Sequence, residues 1–234
     1  MSKMKINRKL NKIIDIAGWV LLIIAGILII KLLIWEDSYY KTQESAPRSK
    51  AISVLTTVEA PTSVETDPVS EEELRRHAAL ENNPLKLYIE RLGVEARILI
   101  TTAGKDNTLP VPSNIYDTLW YGGSNRPGEN GTTIISGLSG YNETKGVFAN
   151  LEVLEKGDNI VVELGNHDKY HYKVSEIYLV SHNDIHNKLS AAQNKIDNTE
   201  TLSLITAKAS GSSTDYDSVS FIKAKLDKVE KSKD

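Results

Sequence analysis

No cysteine occurs anywhere in the 234 residues. Its absence excludes disulfides, thiolate metal sites and cysteine nucleophiles together, while saying little about redox compartment. Arginine is missing from everything that follows Arg126. Positive charge is not in excess either: 28 Lys and Arg face 31 Asp and Glu, giving −3 overall. A general nucleic-acid binder, which needs a basic face, is therefore not expected. The one dense basic cluster is N-terminal, at Lys3, Lys5, Arg8, Lys9 and Lys12. The rest is ordinary globular composition, 40% hydrophobic and 25% charged, enough for one domain with appendages or two small domains.

One long apolar run is present. From Ile16 to Ile30 the chain reads "IAGWVLLIIAGILII", then Lys31, then "LLIW". Ile16 to Ile34 would make about 28 Å of helix, close to the ~30 Å of a hydrocarbon core. Lys31 sits near the far end, where its stem can snorkel, and Trp19 and Trp35 mark the two edges. Basic residues precede the run, and Glu36 and Asp37 follow it, so the positive-inside rule places the N-terminus in the cytoplasm. A cleaved signal peptide would have a shorter apolar region ending in small residues, whereas this one ends "IWEDSYY". The expectation is a cytoplasmic basic tail (1–12), a transmembrane signal-anchor helix (13–35) and an extracytoplasmic remainder, hence a single-pass cell-membrane protein.

Residues 36–69 are rich in Ser, Thr, Pro and Glu without an apolar period, the composition of a flexible tether. "SEEELRRHAALEN" follows, with Ser70 and Glu73 spaced as a capping box and Asn83-Pro84 as a stop, which predicts a helix at the domain entrance over 70–83. Beyond Pro84 the patterns are mostly strands. "LKLYIERLGVEARILITT" holds two runs around Gly93, and "GTTIISGLSG", "DNIVVEL", "KYHYKVSEIYLVS", "ETLSLITA" and "SVSFIKAKL" are further candidates. "GVFANLEVL" and "NDIHNKLSAAQ" read as short helices. The fold class expected is mostly β: one closed, seven- to eight-stranded barrel over 84–228 with short helices, then a charged tail at 229–234.

The stretch "ETLSLITAKAS" runs from a strand into a polar loop, the kind of place where folds put chemistry. Ala207 stands at that strand end with no heteroatom to attack a carbonyl, accept a proton or bind a metal.

The ordered motifs of this region resemble the sortases, membrane-anchored transpeptidases of bacterial surfaces. "LYIERLGVEARI" is similar to their opening hairpin. "LPVPSNIYDTLWYGGSNRPGENGTTIISG" is similar to their proline-containing segment, aromatic pair, turn and following strand. "GVFANLEVLEKGDNIVVE" is similar to their Phe-containing turn, and "TLSLITA" to the strand that ends in cysteine. The resemblance implies a cysteine nucleophile, a histidine for proton transfer and an arginine that steadies the oxyanion. This chain departs at all three places. The Gly-His pair reads Gly137-Leu138, the cysteine position is Ala207, and the arginine position falls at 218–220 in "DYDSVSFIKAKL". The implication is a pseudo-sortase whose groove would comprise Gly137, Leu138, Ser139, Thr206, Ala207 and Ser210, with Leu138 and Ala207 as the degenerate positions.

Such a groove could hold an extended peptide, so sorting-motif peptides or an active sortase are the implied partners, besides the membrane. No cofactor or metal is expected. The competing readings are enzymatic: a hydroxyl such as Thr206, Ser210, Ser212, Ser213 or Thr214 acting as substitute nucleophile, or a transpeptidase inactivated by a Cys→Ala change. The first lacks an adjacent base, because Leu138 occupies that position. The second does not account for Leu138 or the missing arginine.

Other motifs have plainer readings. His182 and His186, spaced four apart beside Asp184, could share a helix face, but read as solvated; His167 and His171 read likewise. "RPGENG" is a turn on backbone grounds, and Trp120 and Tyr121 read as packing. "SGSSTDYDS" reads as an inert connection that would border the groove.

Overall fold

The computed structural model of the chain describes Gly26, Leu55, Val58 and residues 64–104, 107–181, 184–193, 199–209 and 218–233. The expected membrane span, most of the expected tether, His182 and Ser210 lie outside the described residues. Among the described residues no helix is long and apolar enough to cross a membrane. Two units separate by their contacts, Met1–Lys50 and Ala51–Asp234, and the elements below all belong to the second.

The strands are β1 (Pro84–Ile89), β2 (Val94–Thr101), β3 (Thr118–Tyr121), β4 (Gly131–Tyr141), β5 (Thr144–Lys145), β6 (Asn159–Leu164), β7 (Lys169–Ser181), β8 (Glu200–Ala209) and β9 (Ser218–Glu230). The helices are α1 (Glu71–Arg76) and α2 (Ile185–Gln193). The sheet order is β3-β2-β1-β6-β7-β9-β8-β4-β5, and an additional β3–β4 pairing closes eight strands into a barrel. β5 hangs on β4 outside the closure. Parallel pairing occurs at β2–β3 and β4–β8, and the other pairs are antiparallel. The expected mostly-β closed barrel is thus present.

Period-2 alternation divides the wall β3–β4–β8–β9 into two faces. Trp120, Ile135, Leu202, Leu204, Ile222 and Ala224 point into one apolar cluster with Leu87, Ile98, Phe148 and Tyr172, the barrel interior. Tyr121, Ile134, Leu138, Ile205, Val219 and Phe221 belong to a second cluster, completed by Ile185 and Leu189 of α2, by Leu109, Val111 and Ile115, and by Leu55 and Val58. β4 is buried from Gly131 to Leu138 for this reason: both its faces are covered.

Several local expectations differ from what the fold shows. α1 stops at Arg76 rather than continuing to residue 83, although its capping box forms, with the Glu73 amide donating to Ser70 Oγ and Glu73 reaching back to the Ser70 amide. Beyond it, tertiary bonds replace helical ones. The carbonyls of Asn83 and Glu81 accept from Gly165 (3.0 Å) and Asn166 (3.0 Å), and His77 Nε2 lies 3.0 Å from the Ile98 carbonyl.

"GVFANLEVL" is helical only at Leu151–Val153, as one 3-10 turn. Its first half is tied elsewhere, Val147 N–H to the Ile115 carbonyl and Phe148 N–H to the Leu138 carbonyl. Within the expected tether, Leu55 and Val58 are buried, Val58 bridges Leu109, and Glu65 bridges Asn114. At the other end the expected charged tail is partly strand, since β9 reaches Glu230. Asp168 then holds Lys231 Nζ (2.8 Å) and the Ser232 amide (2.9 Å).

Candidate functional site

The positions singled out in the sequence fall on one parallel pair. In the β4–β8 register Gly137 lies opposite Thr206 and Leu138 opposite Ala207, after which a bulge interrupts the pairing before Gly140. Thr206 is buried and Ser139 half-buried, and Ser210 lies outside the described residues. The strand that would supply the arginine offers Val219 and Ser220, both buried, with Ser220 opposite Leu179 of β7.

Local sequence explains how this pair is held. Gly137 is pinched against the Val147–Phe148 stretch: a Cβ there would sit 2.6 Å from the Phe148 ring and 3.0 Å from Val147 Cγ1. Only a residue without a side chain fits that approach. Phe148 N–H donates to the Leu138 carbonyl (2.9 Å) and Gly146 N–H to the Ser139 carbonyl (3.0 Å), so the bulged end of β4 keeps its backbone satisfied. Ser136 Oγ–H donates to the Pro110 carbonyl at 2.6 Å, pinning the proline-containing segment against the wall. Leu138 itself has no exposed surface.

Neither Leu138 nor Ala207 titrates or carries a nucleophile, and no cysteine exists to be brought in from elsewhere. The substitute hydroxyl of Thr206 has a titratable base at neither Leu138 nor Ala207. Among the described residues no group of three metal-binding side chains comes together. Asp184 is engaged by Ser181 Oγ–H (2.8 Å), while His186 Nδ1 lies 3.3 Å from the Leu55 carbonyl. His167 lies 2.7 Å from Glu163, and His171 lies 3.3 Å from Glu230, so those two histidines serve different carboxylates.

The perturbed ionisable groups lie elsewhere. Glu200 opens β8, seven residues before Ala207 and so roughly 23 Å away at ~3.3 Å per residue. Burial pushes its carboxyl above the usual range, against hydrogen bonds from Tyr172 Oη–H (2.5 Å) and the Gly128 amide (2.8 Å). Arg97 forks onto Asp117 at 2.8 and 2.7 Å, and that hydrogen-bonded pairing raises the guanidinium further. The aromatic pair packs as expected, Trp120 into the interior and Tyr121 into the second cluster.

Sequence reasoning missed Leu55, which joins the apolar cluster that holds Leu138. Both main-chain groups of Leu55 meet side chains of α2: its N–H donates to Gln193 Oε1 (2.8 Å), and its carbonyl faces His186. Apolar spacing in "AISVLTTV" was the available signal, drowned by the Ser, Thr and Pro around it.

An eight-stranded closed barrel, with Leu138 and Ala207 paired near the C-terminal ends of two parallel strands, is the class of fold. A family model described as the sortase domain matches residues 87–226, more than half of the chain. The chain belongs to the sortase family. Similar solved structures include the pilus-related sortase C of Group B Streptococcus, 14% identical over 80% of this chain and 89% of that one, with a TM-score of 0.51. Sortase E from Streptomyces avermitilis is 19% identical over 65% and 93%, TM-score 0.48. A sortase D5 from Clostridium perfringens is 24% identical over 68% and 90%, TM-score 0.43. No curated protein matches the sequence.

Proposed function

We propose that the protein is a catalytically inactive, membrane-anchored member of the sortase family, displayed outside the membrane, that binds peptides or scaffolds other surface proteins. The observation that carries the reading is the pairing of Leu138 with Ala207 on adjacent strands in a chain without cysteine. Acyl transfer needs an activated nucleophile and a group to move its proton, and triad members act as a unit, so loss of the thiol alone removes most of the rate. An apolar pair in their place supports a role in holding an extended segment by main-chain bonds and side-chain pockets. Its partners on this reading are sorting-motif peptides or an active sortase, and nucleic acid is not among them. The N-terminal basic cluster and apolar run support the anchor and its orientation.

The test pairs two measurements on the full-length chain. Peptide libraries carrying sorting-type motifs, incubated with amine acceptors and read by mass spectrometry, should show no cleavage or transfer above background. Calorimetric titration with the same peptides should show binding. Turnover by the wild-type chain would overturn the pseudoenzyme reading, and no binding by any peptide would remove the groove.

A further inference from the structure

The β7–β9 pair carries charge in an order that folding alone does not favour. Tyr172, Val174 and Ala224 point into the barrel interior, so their strand neighbours His171, Lys173 and Lys225 point outward. Towards both ends the outward rows match in sign. Lys169 lies opposite Glu230, and Glu176 lies opposite Lys223, whose Nζ is 3.2 Å from the carboxylate. Between them the rows do not match. Lys173 lies opposite Lys225 and His171 opposite Lys228, positions whose Cβ atoms stand ~5 Å apart and where like charges destabilise the pair. Among the described residues, none of Lys173, Lys225 and Lys228 has an ion-pair partner. His171 Nε2 is buried without a hydrogen bond, its nearest acid being the exposed Glu230 at 3.3 Å.

These mismatched rows wall a groove of ≈ 650 Å³ on the outer face of the barrel. Tyr88 and Val161 line it beside Lys173, Lys228 and His171, while Glu90 and Glu95 line it from the side of β1 and β2. We infer that this groove is a binding site for a phosphate monoester, with the phosphate held by Lys173, Lys228 and His171 Nε2–H and with Lys225 adding positive charge beside them. A phosphate brings up to two negative charges and three acceptor oxygens, one for each of the three donors. Glu90, Glu95 and Asp227 repel a second anionic group, so the body of the ester is uncharged, and the Tyr88 ring gives it a face to lie on. The site goes beyond the peptide reading above and does not depend on it.

The test uses the full-length chain in a neutral detergent, with glycerol 3-phosphate as probe at ~0.15 M ionic strength, where exposed charges are screened beyond ~8 Å. Calorimetry should show saturable binding by wild type. Lys225→Glu should bind about tenfold more weakly or worse, whereas Lys145→Glu, the same charge change on β5, should bind as wild type does. Without probe, Lys225→Glu should melt above wild type, because an opposed like pair becomes an opposite pair. Doping the micelles with lysophosphatidic acid separates two sources of the same chemistry. Loss of the glycerol 3-phosphate signal supports the site with a lipid headgroup as ligand, and an unchanged signal supports it with a soluble or polymer-borne ester. No saturable binding by wild type overturns the site, as does equal weakening by Lys145→Glu. A melting temperature of Lys225→Glu at or below that of wild type overturns the argument from mismatched charge.

Discussion

Introducing a histidine at the position of Leu138, Leu138→His, should destabilise the fold rather than prepare an active site. Leu138 is fully buried among Ile134, Ile205 and Leu189. Removing its side chain forfeits about 1.5–3 kcal/mol of burial. The imidazole that replaces it brings polar nitrogens into an apolar cluster, and an unmet buried donor or acceptor costs ~1–3 kcal/mol. The sum is roughly 2.5–6 kcal/mol, a large share of the 5–15 kcal/mol that typically separates folded from unfolded domains.

A pH dependence should accompany the loss. Desolvation holds a buried histidine neutral, so its folded pKa falls below the unfolded value of about 6.5. Between those two values the unfolded chain binds the extra proton, and stability falls as pH falls. If the folded site never protonates, going from pH 7 to pH 5 should cost the variant a further ~2 kcal/mol relative to wild type. Urea denaturation followed by circular dichroism at both pH values, with linear extrapolation, measures both numbers. A loss under 1 kcal/mol at pH 7 with no further loss at pH 5 would mean that the position opens to water, and the account of a buried Leu138 would be wrong.

Gly137→Ala should cost about 1–3 kcal/mol, since its Cβ would meet the Phe148 ring at 2.6 Å and the overpacked core must shift; an unchanged urea midpoint would contradict that packing. Glu200→Gln keeps an oxygen for Tyr172 and Gly128 but removes the half-buried charge. The folded pKa of Glu200 is raised, so wild type loses stability as pH rises from the unfolded value through the folded one, and the variant does not. Melting temperatures of the two should therefore diverge in favour of Glu200→Gln between pH 4 and pH 8, and a difference that stays flat across that range would refute the assignment.

Legibility in the sequence followed the range of the interactions involved. β7 runs over the same thirteen residues that the alternation "KYHYKVSEIYLVS" marks, because alternation is a property of neighbouring side chains on one pleated strand. β3 was not legible. Its "TLWY" is only four residues, and it is a strand because β2 lies on one side and β4 on the other. The same holds for α1, whose capping box is local and whose early end is set by Gly165 and Asn166 more than eighty residues away. At the candidate site, Leu138 and Ala207 could be singled out one at a time, whereas Leu55 could not, since nothing in a Ser/Thr-rich stretch says which cluster its one leucine will join.

The sequence alone determined that this chain has no thiol, where its strands alternate, and that "IISGLSG" holds no histidine. Those are facts of composition and near-neighbour pattern. Only the tertiary structure decided that the strands close through β3, that positions 138 and 207 become register partners, and that Leu55 joins the apolar cluster of Leu138. Closure, register and cover each depend on which distant surfaces meet to exclude water. No local window of residues encodes that choice.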